Sequence, residues 1–311
     1  MKNTFLSLPE FQKIPALGWF MWVLLLLGSM LLFQFAGIWA LSLHLGIPFT
    51  QLQSNPELLQ QLPAEAVLLA LFSGFVPIIL VGYLLWKPWS GLPRRALNTS
   101  NRPFKFKAFG LALLLSLAII ALADTLYVAG GGQIEWQGNI PAFLRFLPFA
   151  LLLFPFQTLF EEWVFRGFMM RGIHRIFNSP LPALLGSSLF FALLHMGNSE
   201  VSEFGPGYML LYYLGQALVM GALVLLFDGL ELAWAYHLAN NWYVSLLVTL
   251  PGSSLRTPAL FLSQPPEPLK MLLLGSSISL VLALSLIIAF RANNWERLWK
   301  STESRDEKEG F

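Results

Sequence analysis

The chain has 311 residues, of which 56% are hydrophobic and only 12% charged, about half the charged share of a soluble domain. Its net charge of +2 gives no basis for nucleic-acid binding. The absence of cysteine excludes disulfides, thiolate metal ligands and a cysteine nucleophile. What remains is an all-α, polytopic membrane protein with the lipid bilayer as its solvent.

Crossing ~30 Å of hydrocarbon takes about 20 apolar residues as helix. Eight such stretches are predicted, over 17–43, 65–86, 108–128, 142–177, 181–196, 207–227, 230–250 and 269–291. The first follows Lys2 and Lys13; it is too long for a signal peptide and no small-x-small cleavage site follows, so it is expected to stay as a span. The loop from Lys87 to Lys107 carries Lys87, Arg94, Arg95, Arg102, Lys105 and Lys107 and no acid. The connections 45–64, 129–141 and 197–206 contain no Lys or Arg. The positive-inside rule therefore puts the 87–107 loop and both termini in the cytoplasm of a multi-pass cell-membrane protein. Arg166, Arg171 and Arg175 are expected to mark a cytoplasmic end. The Pro- and Ser-rich connection 251–268 reads as an exposed loop. Residues 1–291 read as one transmembrane domain, and 292–311 as a cytoplasmic tail anchored by Trp295 and Trp299.

Within the fourth stretch, Phe160-Glu161-Glu162-Trp163-Val164-Phe165-Arg166 sets two carboxylates and a guanidinium in apolar surroundings. A carboxylate there costs about 2.5–3.5 kcal/mol on insertion scales, so ionisable groups at that depth point to a site. Glu162 and Arg166 are four apart, the spacing of an ion pair, while Glu161 turns about 100° away. A hairpin at Asn178-Ser179-Pro180 places Glu161, 17 residues before Asn178, level with His195, 15 residues after Pro180, each about 25 Å from the turn. His237 and Asn241 share a helical face. Of the four histidines, His44 and His174 read as interfacial, and Asp124, Asp228 and Glu231 as solvated span ends. Two imidazoles suit Zn²⁺ or a similar divalent ion. A carboxylate beside them can act as general base on water, and an amide such as Asn241 can donate to an oxyanion. These groups suit amide hydrolysis, with Glu161, His195 and His237 expected within about 8 Å around one metal–water unit.

Glu161-Glu162-x-x-x-Arg166, Phe191-x-x-x-His195 and His237-x-x-x-Asn241 resemble, in order and spacing, the CPBP family, also called Abi or type II CAAX endopeptidase-like. The resemblance covers roughly 145–250. It implies an intramembrane endopeptidase of the metalloprotease kind, acting on a membrane protein or peptide, prenylated in some members. It also implies that Glu161 with His195 activates water and that His237 and Asn241 hold the oxyanion. Glu162, Arg166 and Phe191 then support those groups. Three other readings compete. One is a catalytically silent immunity or partner-binding protein on the same scaffold. The second is a proton-relaying transporter, for which the inverted repeat is missing. The third is a serine protease at Gly186-Ser187-Ser188, where close helix packing accounts better for the small residues.

Overall fold

Lipid offers no hydrogen-bond partners, so each apolar stretch must satisfy its own backbone and becomes a helix. The computed structural model describes residues 4–8, 10–264 and 267–300. Among the described residues seven helical stretches are long and apolar enough to cross a membrane, which with one shorter helix makes a polytopic helical bundle. We label the helices α1 (Ala16–Leu45), α2 (Ala64–Phe72), α3 (Phe75–Ser90), α4 (Phe106–Ala129), α5 (Ile140–Glu162), α6 (Met170–Phe177), α7 (Pro180–Leu194), α8 (Pro206–Phe227), α9 (Glu231–Trp242) and α10 (Pro268–Ala289).

The predicted second span is broken into α2 and α3 at Ser73-Gly74, where α1 crosses it closely. A Cβ on Gly74 would lie 2.3 Å from Phe33 Cβ, and one on Gly37 of α1 would lie 1.8 Å from the Ala70 carbonyl oxygen. No side chain fits at either position.

The predicted fourth span is one continuous rod from Ile140 to Phe177, but its middle is a π-helical turn, Trp163–Met169, directly after Glu162. Such turns recur at functional sites because they redirect side chains within a helix. The rod ends where Asn178 adopts a left-handed conformation (φ 49°) and Pro180 opens α7. The hairpin predicted from Asn178-Ser179-Pro180 is thus formed.

The predicted seventh span, 230–250, differs most. It consists of α9 plus a second π-helical turn, Tyr243–Leu247, and it is shorter than the membrane spans. It packs against α4, α5 and α8 and buries most of its side chains. Protein rather than lipid surrounds it, which is why it tolerates His237, Asn240 and Asn241.

Several expectations are corrected. The 251–268 connection is not simply an exposed loop. Its Phe261–Ser263 strand pairs antiparallel with Ile134–Trp136 and parallel with Val248–Thr249, closing the end of the bundle opposite the basic loop. Glu231 and Asp228 are not span ends solvated by water. Glu231 is 1% exposed and takes both guanidinium nitrogens of Arg102, at 2.5 and 3.1 Å, while Asp228 pairs with Arg297 at 2.6 Å. Asp124 accepts from Tyr243 Oη at 2.8 Å. His174 is buried rather than interfacial, because α6 presses against α1 and the Thr4–Ser7 turn. Arg166 and Arg171 are buried as well, so neither marks an aqueous end. The Arg171 guanidinium lies 4.1 Å from the Phe5 ring centroid and 4.4 Å from that of Phe11. His44 is exposed, as expected. The tail forms a short 3₁₀ turn, Trp295–Leu298, and residues 301–311 lie outside the described residues.

Candidate active site

Neighbouring carboxylates on a helix diverge by about 100°, and Glu161 and Glu162 accordingly serve different partners. Glu162 is fully buried. Its Oε1 accepts from Arg166 Nη1, one turn along, at 3.1 Å and from His237 Nδ1 at 2.9 Å. Arg166 is fixed in turn: Nη2 donates to the Ala217 carbonyl at 3.3 Å, and the guanidinium lies 4.8 Å from the Phe191 ring centroid. A buried cation, a buried anion and an imidazole thus neutralise one another across α5, the π-helical turn and α9.

Glu161 points to the other side. Its Oε2 is buried and makes no hydrogen bond, yet it lies 3.5 Å from His237 Nε2 and 3.8 Å from His195 Nε2. The tautomers follow from the partners behind the rings. His195 Nδ1 is 2.8 Å from the Phe191 carbonyl, which can only accept, so Nδ1 carries the proton. His237 Nδ1 faces the Glu162 carboxylate and carries a proton for the same reason. In the neutral rings both Nε2 atoms then present lone pairs. Two lone pairs and a carboxylate oxygen converge with no donor among them. A water can supply that donor, and an ion or a proton can take its place.

The donor set, two imidazoles and one carboxylate, is of the kind zinc takes at catalytic centres. Two ligands of a tetrahedral ion with bonds near 2.1 Å stand about 3.4 Å apart, close to the separation between Glu161 and His237 and shorter than that to His195. Among the described residues no group of three or more His, Asp or Glu side chains closes on a single ion point. The chemistry of the set fits a divalent ion, and holding one requires His195 to move inward. Water fits without that movement.

Residues 142–243 match a family model described as type II CAAX prenyl endopeptidase Rce1-like. This stretch is Rce1-like. It spans α5 to α9 and contains every side chain placed above, so the resemblance carried by the three motifs is shown over the part of the chain that builds the site. A relative, the uncharacterized protein YyaK of Bacillus subtilis (strain 168), is 26% identical over 206 residues, 65% of this chain and 67% of that protein. No solved structure matches.

The Rce1-like stretch also holds polar residues that the motifs do not include. Gln157 stands one turn before Glu161; its Nε2 donates to Glu161 Oε1, and its Oε1 accepts from Asn241 Nδ2 at 3.0 Å. Asn241 is therefore tied to Glu161 through Gln157. An amide at i−4 from a buried acid was the available signal for Gln157. Tyr213 packs on His195 with centroids 5.0 Å apart, and its hydroxyl accepts from Asn198 Nδ2 at 3.1 Å. Phe191 stacks on His195 at 4.0 Å, so it orients the ring as well as shielding Arg166. The polar turn after His195 lines a cleft of about 240 Å³. Leu62, Val67 and Leu71 form one wall, and Asn198, Ser254 and Arg256 form the other. The cleft lies at the sheet end of the bundle, as the rule that irregular backbone must line a cavity requires.

Gln157→Ala unlocks both Glu161 and Asn241. Loss of such a supporting hydrogen bond costs about 10–100-fold in activity, and because Gln157 is buried and bonds two side chains the thermal midpoint should fall too, by the equivalent of about 1–3 kcal/mol. Initial rates and melting curves of the variant, side by side, check this.

Proposed function

We propose that this protein is an intramembrane peptide hydrolase, with Glu161 as the general base. The observation that carries the reading is the buried Glu161 Oε2, which accepts no hydrogen bond and faces two imidazole lone pairs. A water held there gives its proton to Glu161 while its oxygen attacks the scissile carbonyl carbon. His195 accepts the water's other hydrogen and aligns its lone pair. Asn241 donates to the oxyanion. His237, held by Glu162 through Nδ1, can donate through Nε2 only as the imidazolium. Collapse of the tetrahedral adduct breaks the C–N bond, and Glu161 returns the proton to the departing amine.

Glu161, His195 and His237 are the residues that would hold a divalent ion, and Zn²⁺ suits them best. Such an ion would supply a Lewis acid that polarises the carbonyl. Elemental analysis of protein purified without chelator should find about one zinc per chain, and none in a His195→Ala/His237→Ala double variant; equal zinc in both would remove the ion from the account.

The substrate class is a membrane protein or peptide, lipidated or not, delivered by the bilayer and through the cleft beside Asn198. The orientation that goes with this has both termini in the cytoplasm. Comparing newly formed peptide ends in membranes expressing wild type and Glu161→Gln tests the reading. Ends present only with wild type support it. Identical ends together with full biological function in the variant would instead favour a partner-binding protein.

A further inference from the structure

The two ends of the bundle differ in charge. At one end the 91–105 connection carries Arg94, Arg95, Arg102 and Lys105, and Arg291, Arg297 and Lys300 follow the last helix. At the other, the connections 46–63, 130–139, 195–205 and 248–267 hold Glu57, Glu135, Glu200, Glu203 and Glu267, with Arg256 their only Lys or Arg. Arg145 and Lys270 stand within the first two turns of α5 and α10 at this second end, and each is paired, with Glu65 at 3.1 Å and Glu267 at 3.6 Å.

Among the described residues the candidate site is closed toward the basic end. Every residue of the π-helical turn after Glu162 is buried, and Trp19, Trp22 and Trp86 pack on Phe168 beyond it. The basic loop is tied over this aromatic plug. Asn98 Oδ1 accepts from Trp163 Nε1 at 2.6 Å, and the Asn98 carbonyl accepts from Leu230 N at 2.8 Å. Toward the sheet end the packing is open. Glu161 and His195 keep 17% and 20% of their side chains accessible, and Gly197 is exposed. The cleft of about 240 Å³ continues from there. Phe160 packs on Phe75 at 4.9 Å, so Glu161 is level with the start of α3, and Leu71 on the cleft wall stands about 6 Å nearer the sheet end. Leu59 and Leu62, before the start of α2, form the outer rim, with Arg256 exposed opposite them.

We propose that the site opens to the extracytoplasmic face and that its substrates are peptide segments already on that side of the membrane. Connections rich in Lys and Arg stay in the cytoplasm, so the basic, sealed end faces inward and the acidic, open end faces outward. A cytoplasmic segment would have to pass the aromatic plug to reach Glu161. An exported one enters past Leu62 and Arg256 without crossing it. Translocation across the membrane is therefore the step that supplies the substrate. The inference rests on the peptidase reading for what enters the cleft, and on charge and packing for the side to which it opens.

The chain has no cysteine, so a single introduced one reports on its own position. Full-length Leu71→Cys, on the cleft wall, and Arg95→Cys, in the basic loop, are treated with a small, charged, membrane-impermeant thiol reagent in spheroplasts and in inverted membrane vesicles. Leu71→Cys should be labelled in spheroplasts and not in inverted vesicles, and Arg95→Cys should show the reverse. Val67→Cys, one turn outward on the same wall, takes the place of Leu71→Cys should that variant not fold. Newly formed peptide ends are then mapped in cells producing wild type or Glu161→Gln, and every end found with wild type alone should lie in an extracytoplasmic segment. Labelling of the cleft cysteine only from the cytoplasmic side, or wild-type-specific ends in cytoplasmic segments, would overturn the proposal. Outward labelling without any wild-type-specific end would uphold the direction in which the cleft opens and remove the peptidase reading, and the substrate class with it.

Discussion

Glu161→Gln should lower peptide hydrolysis by about 10²–10⁴-fold, the contribution of a positioned general base, while leaving the protein at least as stable as wild type. The substitution preserves shape and keeps an oxygen for Gln157. At the position of Oε2 it replaces an acceptor with an amide N–H₂. That group has two donors and faces two acceptors, His237 Nε2 at 3.5 Å and His195 Nε2 at 3.8 Å. Three convergent acceptors become a satisfied set, so the thermal midpoint should hold or rise as activity disappears. Paired rate and melting measurements decide it. Equal loss of both would mean that Glu161 is structural.

Arg166→Ala should do the reverse, destabilising the fold first. Glu162 is fully buried, and Arg166 is its only fixed cation among the described residues. Removing one partner of a buried pair typically costs about 3–5 kcal/mol, because the other charge is left without compensation. The same change frees the Ala217 carbonyl and uncovers the face of Phe191. Activity should fall as well, since Glu162 would no longer hold His237 in one orientation. Adding Glu162→Gln to Arg166→Ala should recover part of the stability by removing the stranded charge, without recovering activity. Equilibrium unfolding in bicelles measures both. An unchanged midpoint for Arg166→Ala would show that the network does not hold the bundle together.

Some of this was legible in the sequence because it depends on local geometry. The rise per residue and one hairpin at Asn178-Ser179-Pro180 suffice to bring Glu161 level with His195. Four-residue spacing suffices to pair Glu162 with Arg166. The membrane bundle follows from apolar runs in the same way. Other features depend on chain segments distant in sequence. Arg102 reaches Glu231 across 129 positions, and Phe5 covers Arg171 across 166; no local spacing reports such pairs, so Glu231, Asp228 and His174 read as interfacial from sequence. The length of α9 was misread for a related reason. Its apolar residues face protein, and hydropathy does not distinguish a helix wrapped by other helices from one facing lipid. The strand at Phe261–Ser263 exists only because three distant chain segments meet at one end of the bundle. Gln157 is a different case. Its spacing from Glu161 was visible, and its role became apparent only when Asn241 was found on its other side.

The central claim is that water, activated at Glu161, cleaves a peptide bond in the membrane. Its most direct test is mass spectrometry of the products when the purified, reconstituted protein turns over a cleaved membrane peptide in water enriched in ¹⁸O. The account predicts one ¹⁸O atom in each newly formed carboxylate, and no new carboxylate with Glu161→Gln. Intact peptide with wild type, or cleavage that persists in the Glu161→Gln protein, would contradict it.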